Sequence, residues 1–158
     1  MKINKKLCVV MLFVCMVVFI GCGKSKEKMS VDTFVNHMEQ AGLTMMEQSD
    51  DIAEDSGITE VQVALAEDNL YQVEFYQLDG VENAQYFYNV AKNGIEEAYG
   101  EVNGNVKTNV SASNYDKYTL SIEGRYYVVS RIEDTLVYVI ASSDSKDIVK
   151  ALVEEIGY

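Results

Sequence analysis

At 158 residues the chain has the length of one domain, and 48% hydrophobic content is enough to build a core rather than stay disordered. Its 13 Lys and Arg face 25 Asp and Glu, formally −12. That field repels nucleic-acid phosphate and gives anionic lipid no polybasic attraction, so nucleic acid is excluded as a partner.

The chain opens with a positive start, "MKINKK", followed by the apolar run "LCVVMLFVCMVVFI" at residues 7–20. As a helix those residues span about 21 Å at roughly 1.5 Å each. A hydrocarbon core of about 30 Å asks for about 20 residues, so the run suits the hydrophobic region of a secretory signal. "FIGC" at residues 19–22 ends it, and the chain then turns at once to the lysine-rich "GKSKEK".

That seam resembles the lipobox of bacterial lipoproteins, with Phe19 where the family most often has Leu. The resemblance covers only the first 22 to 28 residues. It implies a diacylglyceryl group on the sulfur of Cys22, cleavage just before it, and attachment to the extracytoplasmic face of the cell membrane. Residues 1–21 would be the signal peptide, 22–30 the lipidated cysteine and polar tether, and 31–158 a single domain. A single acyl chain holds a protein to a bilayer only marginally, whereas two at Cys22 suffice. Cys8 and Cys15 would leave with the leader, so the mature domain would hold no thiol, disulfide or cysteine metal site. Loss of Lys2, Lys5 and Lys6 would leave 10 basic against 25 acidic residues, or −15.

Beyond the tether, Ser30 is placed to cap a helix over residues 31–41, with Phe34, Met38 and Ala41 at helical spacing and Gly42 as its stop. The acidic stretch 44–57 is ambiguous. "TEVQVALAE" and "LYQVEFYQL" alternate in hydrophobicity around "EDN", which predicts a hairpin over 59–78. Asp79 with Glu82 forms a capping-box pattern, and Ala84, Phe87, Tyr88, Ala91, Ile95 and Ala98 make one stripe, predicting a helix over 80–99. Residues 100–114, rich in Gly, Asn, Ser and Thr, read as a long loop.

Two tight turns then fix a register. With Glu123-Gly124 as one turn, Leu120 meets Tyr127 and Tyr118 meets Val129. With Glu133-Asp134 as the next, Val129 meets Tyr138 and Tyr127 meets Ile140. Both registers put Tyr118, Leu120, Ile122, Tyr127, Val129, Leu136, Tyr138 and Ile140 on one face, and a one-residue slip would scatter them. A last helix caps at Ser143–Ser145, with Ile148, Leu152 and Ile156 on its stripe and Gly157 as its stop.

The expected fold is therefore α+β: two layers, a mainly antiparallel sheet of about five strands as hairpin, helix and three-stranded meander, with the helices on one face. On the meander's other side Tyr126, Val128, Val137 and Val139 form a candidate docking face for another envelope protein or polymer. The N-terminal helix or the 100–114 loop is the alternative cover for them.

Chemistry-bearing patterns are sparse. His37 is the lone histidine, with no marked nucleophile or orienting partner. Glu47, Asp50, Asp51, Glu54, Asp55 and Glu60 raise calcium, but position 3 of an EF-hand loop would fall on Ile52 or Ala53, so that pattern fails. No phosphate-binding glycine loop or serine elbow is present, and no cofactor or metal is expected. The reading is a lipid-anchored, non-catalytic binding module. The alternatives are a small envelope hydrolase using carboxylates and a small-ligand carrier.

Overall fold

The computed structural model describes residues 25–48, 53, 56–100 and 106–158. Its elements run α1 (Val31–Gln40), β1 (Thr44–Glu47), β2 (Ile58–Leu65), β3 (Tyr71–Leu78), α2 (Val81–Tyr99), β4 (Val106–Ser111), β5 (Tyr115–Ile122), β6 (Arg125–Ile132), β7 (Thr135–Ser142) and α3 (Lys146–Glu155). All seven strands join one sheet in the order β1-β2-β3-β7-β6-β5-β4, every neighbour antiparallel.

The fold class is α+β with an antiparallel sheet, and the strands number seven rather than about five. Both extra strands are edges: β1 comes from the ambiguous acidic stretch and β4 from the expected loop. An edge strand has one partner and needs little apolar side chain, so alternation does not reveal it. In β4 every side chain from Lys107 to Ser111 is exposed.

The meander has the register its turns dictate. Leu120 faces Tyr127, Tyr118 faces Val129, Val129 faces Tyr138 and Tyr127 faces Ile140. At the first turn Glu123 and Gly124 both take positive φ, 47° and 77°, which matches the twist of the flanking strands.

The helices do not share a face. On the front face α1 and α3 pack over Ala64, Val73, Phe75, Tyr126, Val128, Val137, Val139 and Ala141. On the back face α2 packs over Leu78, Tyr118, Leu120, Ile122, Tyr127, Val129 and Leu136. The domain thus has three layers instead of two, because both sides of the central strands are apolar and each requires cover. Within the front layer the rings of Phe34 and Phe75 stack at 5.0 Å, and Tyr158 meets Phe75 edge-on at 6.3 Å.

Helix ends follow their residues. Ser30 Oγ accepts from Thr33 N at the start of α1. After α1, Gly42 N donates to Glu39 O and Leu43 N to Met38 O; after α3, Gly157 N donates to Glu154 O and Tyr158 N to Val153 O. Glycine at positive φ lets the chain reverse there and drive Leu43 and Tyr158 into the front core. Two details differ from expectation. Asp79 does not cap α2: the cap position is Gly80, and Asp79 Oδ1 instead accepts from Asn83 Nδ2. A short 3-10 turn at 143–145 rotates α3 so that Val149 is buried and Ile148 is 59% exposed.

Candidate functional site

The docking face expected on the sheet is closed. Tyr126, Val128, Val137 and Val139 are 4%, 1%, 0% and 0% exposed beneath α1 and α3, so they are core residues and form no open docking face. Cys22 and the acidic Asp50, Asp51, Glu54 and Asp55 lie outside the described residues. Among the described residues no three His, Cys, Asp or Glu side chains gather as a metal site. His37 sits half-buried on α1.

A different constellation comes together at the β4–β5 end of the front face. Strand periodicity puts Lys117, Thr119 and Ser121 of β5 on one side, beside Thr108 of β4, and there the cover from α3 ends. Helical spacing turns Lys146, Lys150, Val153 and Glu154 of α3 toward the same space. These groups, with Tyr126 and Val128 as floor, line a cleft of about 220 Å³. Three ammonium groups and four hydroxyl-bearing side chains, Tyr126 included, therefore meet one carboxylate side chain, Glu154, in a chain that is otherwise strongly acidic.

The polar groups are partly engaged. Thr108 and Thr119 share a hydrogen bond at 2.7 Å, Lys117 Nζ donates to the main-chain oxygen of Tyr158 at 2.8 Å, and Lys146 Nζ stands 5.3 Å from the centre of the Tyr126 ring. Ser121 Oγ is buried and meets no hydrogen-bond partner among the described residues. Burial lowers the pKa of Lys117 below the ordinary lysine value; the charges of Lys26 and Lys150 push the same way, against Glu154. The cleft is short of negative charge.

The lysines escape a sequence reading because their convergence is tertiary. Lys-x-Thr-x-Ser in β5 shows that Lys117, Thr119 and Ser121 share a face, and Lys146 and Lys150 share one at i, i+4. Nothing local says that the two faces oppose each other.

The polar segment before α1 lies on the domain. Lys26 N donates to Asn114 Oδ1 and Asn114 Nδ2 donates back to Lys26 O at 2.7 Å. Lys26 Nζ donates to Gly157 O at 2.7 Å and stands 4.9 Å from the Tyr115 ring centre. Lys28 Nζ pairs with both carboxylate oxygens of Asp134, at 2.6 and 2.8 Å, and Met29 packs on the front core. No helix among the described residues is long and apolar enough to cross a membrane.

No protein-family model and no curated protein matches the chain. Among solved structures it is similar to a GTP-binding regulator from Thermotoga maritima, at 20% identity and a TM-score of 0.41, covering 82% of this chain and 91% of that one. It is also similar to the extracellular domain of PknH from Mycobacterium tuberculosis, at 10% identity and a TM-score of 0.38, covering 68% and 69%. Neither similarity assigns the chain an activity.

Proposed function

We propose that the chain is a lipid-anchored, non-catalytic binding module of the extracytoplasmic membrane face, and that its lysine cleft holds a phosphate- or carboxylate-bearing ligand. The anchor is supported by the lipobox-like "FIGC" and the positive, apolar leader before it. One observation carries the ligand class: Lys117, Lys146 and Lys150 line one concavity of a chain with 25 acidic residues. Like charges held together raise the energy of the empty cleft, and a bound anion relieves that repulsion while hydroxyls and ammonium groups donate to its oxygens.

Calorimetric titration of the purified lipoprotein with inorganic pyrophosphate tests the cleft. Saturable binding that weakens with salt and falls at least tenfold in a Lys117→Met, Lys150→Met double variant is expected. Because Lys117 loses its charge below the ordinary lysine range, affinity should already decline with rising pH before 10.5. Absence of binding, or equal binding by the double variant, overturns the anion reading. Mass spectrometry of the native protein tests the anchor separately. A diacylated Cys22 at the N-terminus is expected, and an intact Met1 overturns it.

A further inference from the structure

The back face carries a second concavity whose chemistry is opposite to that of the lysine cleft. A helix about 10–12 Å across covers little more than two strand spacings of about 4.8 Å, and α2 alone serves this side of a seven-stranded sheet. It stands over the meander and leaves a pocket along the flank it turns toward β3. The pocket encloses about 310 Å³ between Phe87, Val90 and Ala91 of α2 and Tyr76, Leu136 and Tyr138 of the sheet. That volume lies at the lower end of the range for small-molecule sites.

Glu74 is the charged residue lining this space. It sits on β3 between Val63 of β2 and Tyr138 of β7, half-buried among apolar and aromatic neighbours. Its carboxylate accepts from Gln72 Nε2 at 2.5 Å and from the Tyr76 hydroxyl. Both donors are neutral. The three ion pairs among the described residues join Lys28 to Asp134, Lys107 to Glu96 and Arg131 to Asp116, which leaves Glu74 with no cation. A carboxylate drawn out of water without a counter-charge is costly, and the cost falls when a cation enters beside it. Burial first, and then Glu74 itself, raises the pKa of Tyr76 and of Tyr138 above the ordinary phenol value, so at neutral pH the phenols add no second negative charge. Their rings and that of Phe87 offer the faces on which methylated or alkylated ammonium groups rest.

We propose that this pocket binds a small organic cation, with its alkylammonium head beside Glu74 among the tyrosine rings and its apolar body between α2 and the sheet. The anion predicted for the front cleft plays no part in it, so the two sites stand or fall separately. Shape alone would admit a neutral apolar molecule; Glu74 selects the cation. The chain's net negative charge adds to that preference by drawing cations toward its surface.

Benzyltrimethylammonium, titrated into the isotopically labelled full chain and followed by NMR, is the test. Saturable shifts at Ile58, Val90 and Leu136 are expected, with affinity at least tenfold weaker in Glu74→Gln and severalfold weaker in Tyr138→Leu. Neopentylbenzene, the uncharged carbon analogue, should bind at least tenfold more weakly than the cation and should not lose affinity in Glu74→Gln. The Lys117→Met, Lys150→Met variant should bind the cation as the parent does. Wild-type binding mapped to the pocket decides the matter even where Glu74→Gln folds poorly. No saturable shift, shifts centred elsewhere, or equal affinity for the cation and its carbon analogue overturns the proposal.

Discussion

On the front of the sheet two helices cover the central strands so fully that Val73, Phe75, Val137 and Val139 are all 0% exposed, while on the back one helix leaves Glu74, Tyr76 and Tyr138 half-buried. The two sides also differ in chemistry. The front core is mainly apolar and aromatic, closed by Phe34, Phe75 and Tyr158, and its buried polar groups are hydroxyls: Thr135 shares a hydrogen bond with the Tyr158 hydroxyl, and Ser130 donates to Asp116 O. The back holds polar pairs: Asp116 with Arg131, Tyr88 with Asn109, and Tyr99 with Tyr127. A layer with ample cover can be built mainly from packing, with a few neutral hydroxyls bonded inside it. A layer with scant cover retains charged and hydroxylic groups that need partners, and there a ligand can contribute what the chain does not.

Deleting a large side chain from each layer breaks the comparison most sharply. Phe75→Ala should cost about 3–5 kcal/mol in urea denaturation, as expected for a buried ring with two aromatic neighbours. Tyr138→Ala, at the margin of the back pocket, should cost less than half as much, and equal losses would mean that the layers pack alike. Next comes the ion pair of the back face, whose side chains are 4% and 7% exposed. Arg131 Nε and Nη2 donate to Asp116 Oδ2 at 2.8 and 2.6 Å, and Arg131 Nη1 donates to Glu133 O. Arg131→Ala strands a buried carboxylate and should cost about 3 kcal/mol or more, whereas Asp116→Leu with Arg131→Met should recover most of that loss.

A pH titration separates the layers more finely. Burial first of all pushes Tyr88, Tyr118 and Tyr127 of the back layer, and Tyr158 of the front, up to about 12. Unfolded phenols ionise near 10, so between pH 10 and about 12 the unfolded chain has lost protons that the folded chain keeps. Stability should be insensitive to these groups below pH 10 and fall across that interval. Replacing Tyr88 and Tyr127 by Phe should flatten the fall more than Tyr158→Phe does, as read from thermal midpoints across the range. The smallest effect belongs to Tyr118. Its hydroxyl is buried without a hydrogen-bond partner among the described residues, so Tyr118→Phe should be neutral or raise stability by up to about 1 kcal/mol. A loss above about 1 kcal/mol would show that the hydroxyl has a partner.

Much of the sheet was legible because its turns are local. Glu123-Gly124 and Glu133-Asp134 set pairings that run through three strands, and the alternation from Val61 to Phe75 gave the hairpin. The stripe Ala84, Tyr88, Ile95 located α2 as a helix with one buried side. It could not say which side of the sheet that helix would cover, because the choice is made by the connections and by competition with α1 and α3. The edges β1 and β4 carry no alternation to read. The sites were less legible than the fold for the same reason. Strand alternation says that Tyr126 and Val128 share a face needing cover but not that α3 joins α1 in supplying it, and the same placement makes the lysines of α3 and β5 neighbours. Glu74 sits in a strand whose pattern reads as ordinary alternation, and its unpaired charge follows from what α2 fails to cover.

The clasp of Lys26 and Lys28 on Asn114, Gly157 and Asp134 has a geometric consequence. If Cys22 bears the acyl chains, only four peptide steps, about 13–14 Å fully stretched, lie between the lipid and the first clasped residue. The domain would then ride on a short leash with little freedom to swing. Lys26, bound to Gly157 O and with its charge felt at Lys117, would keep that part of the front face close above the headgroups.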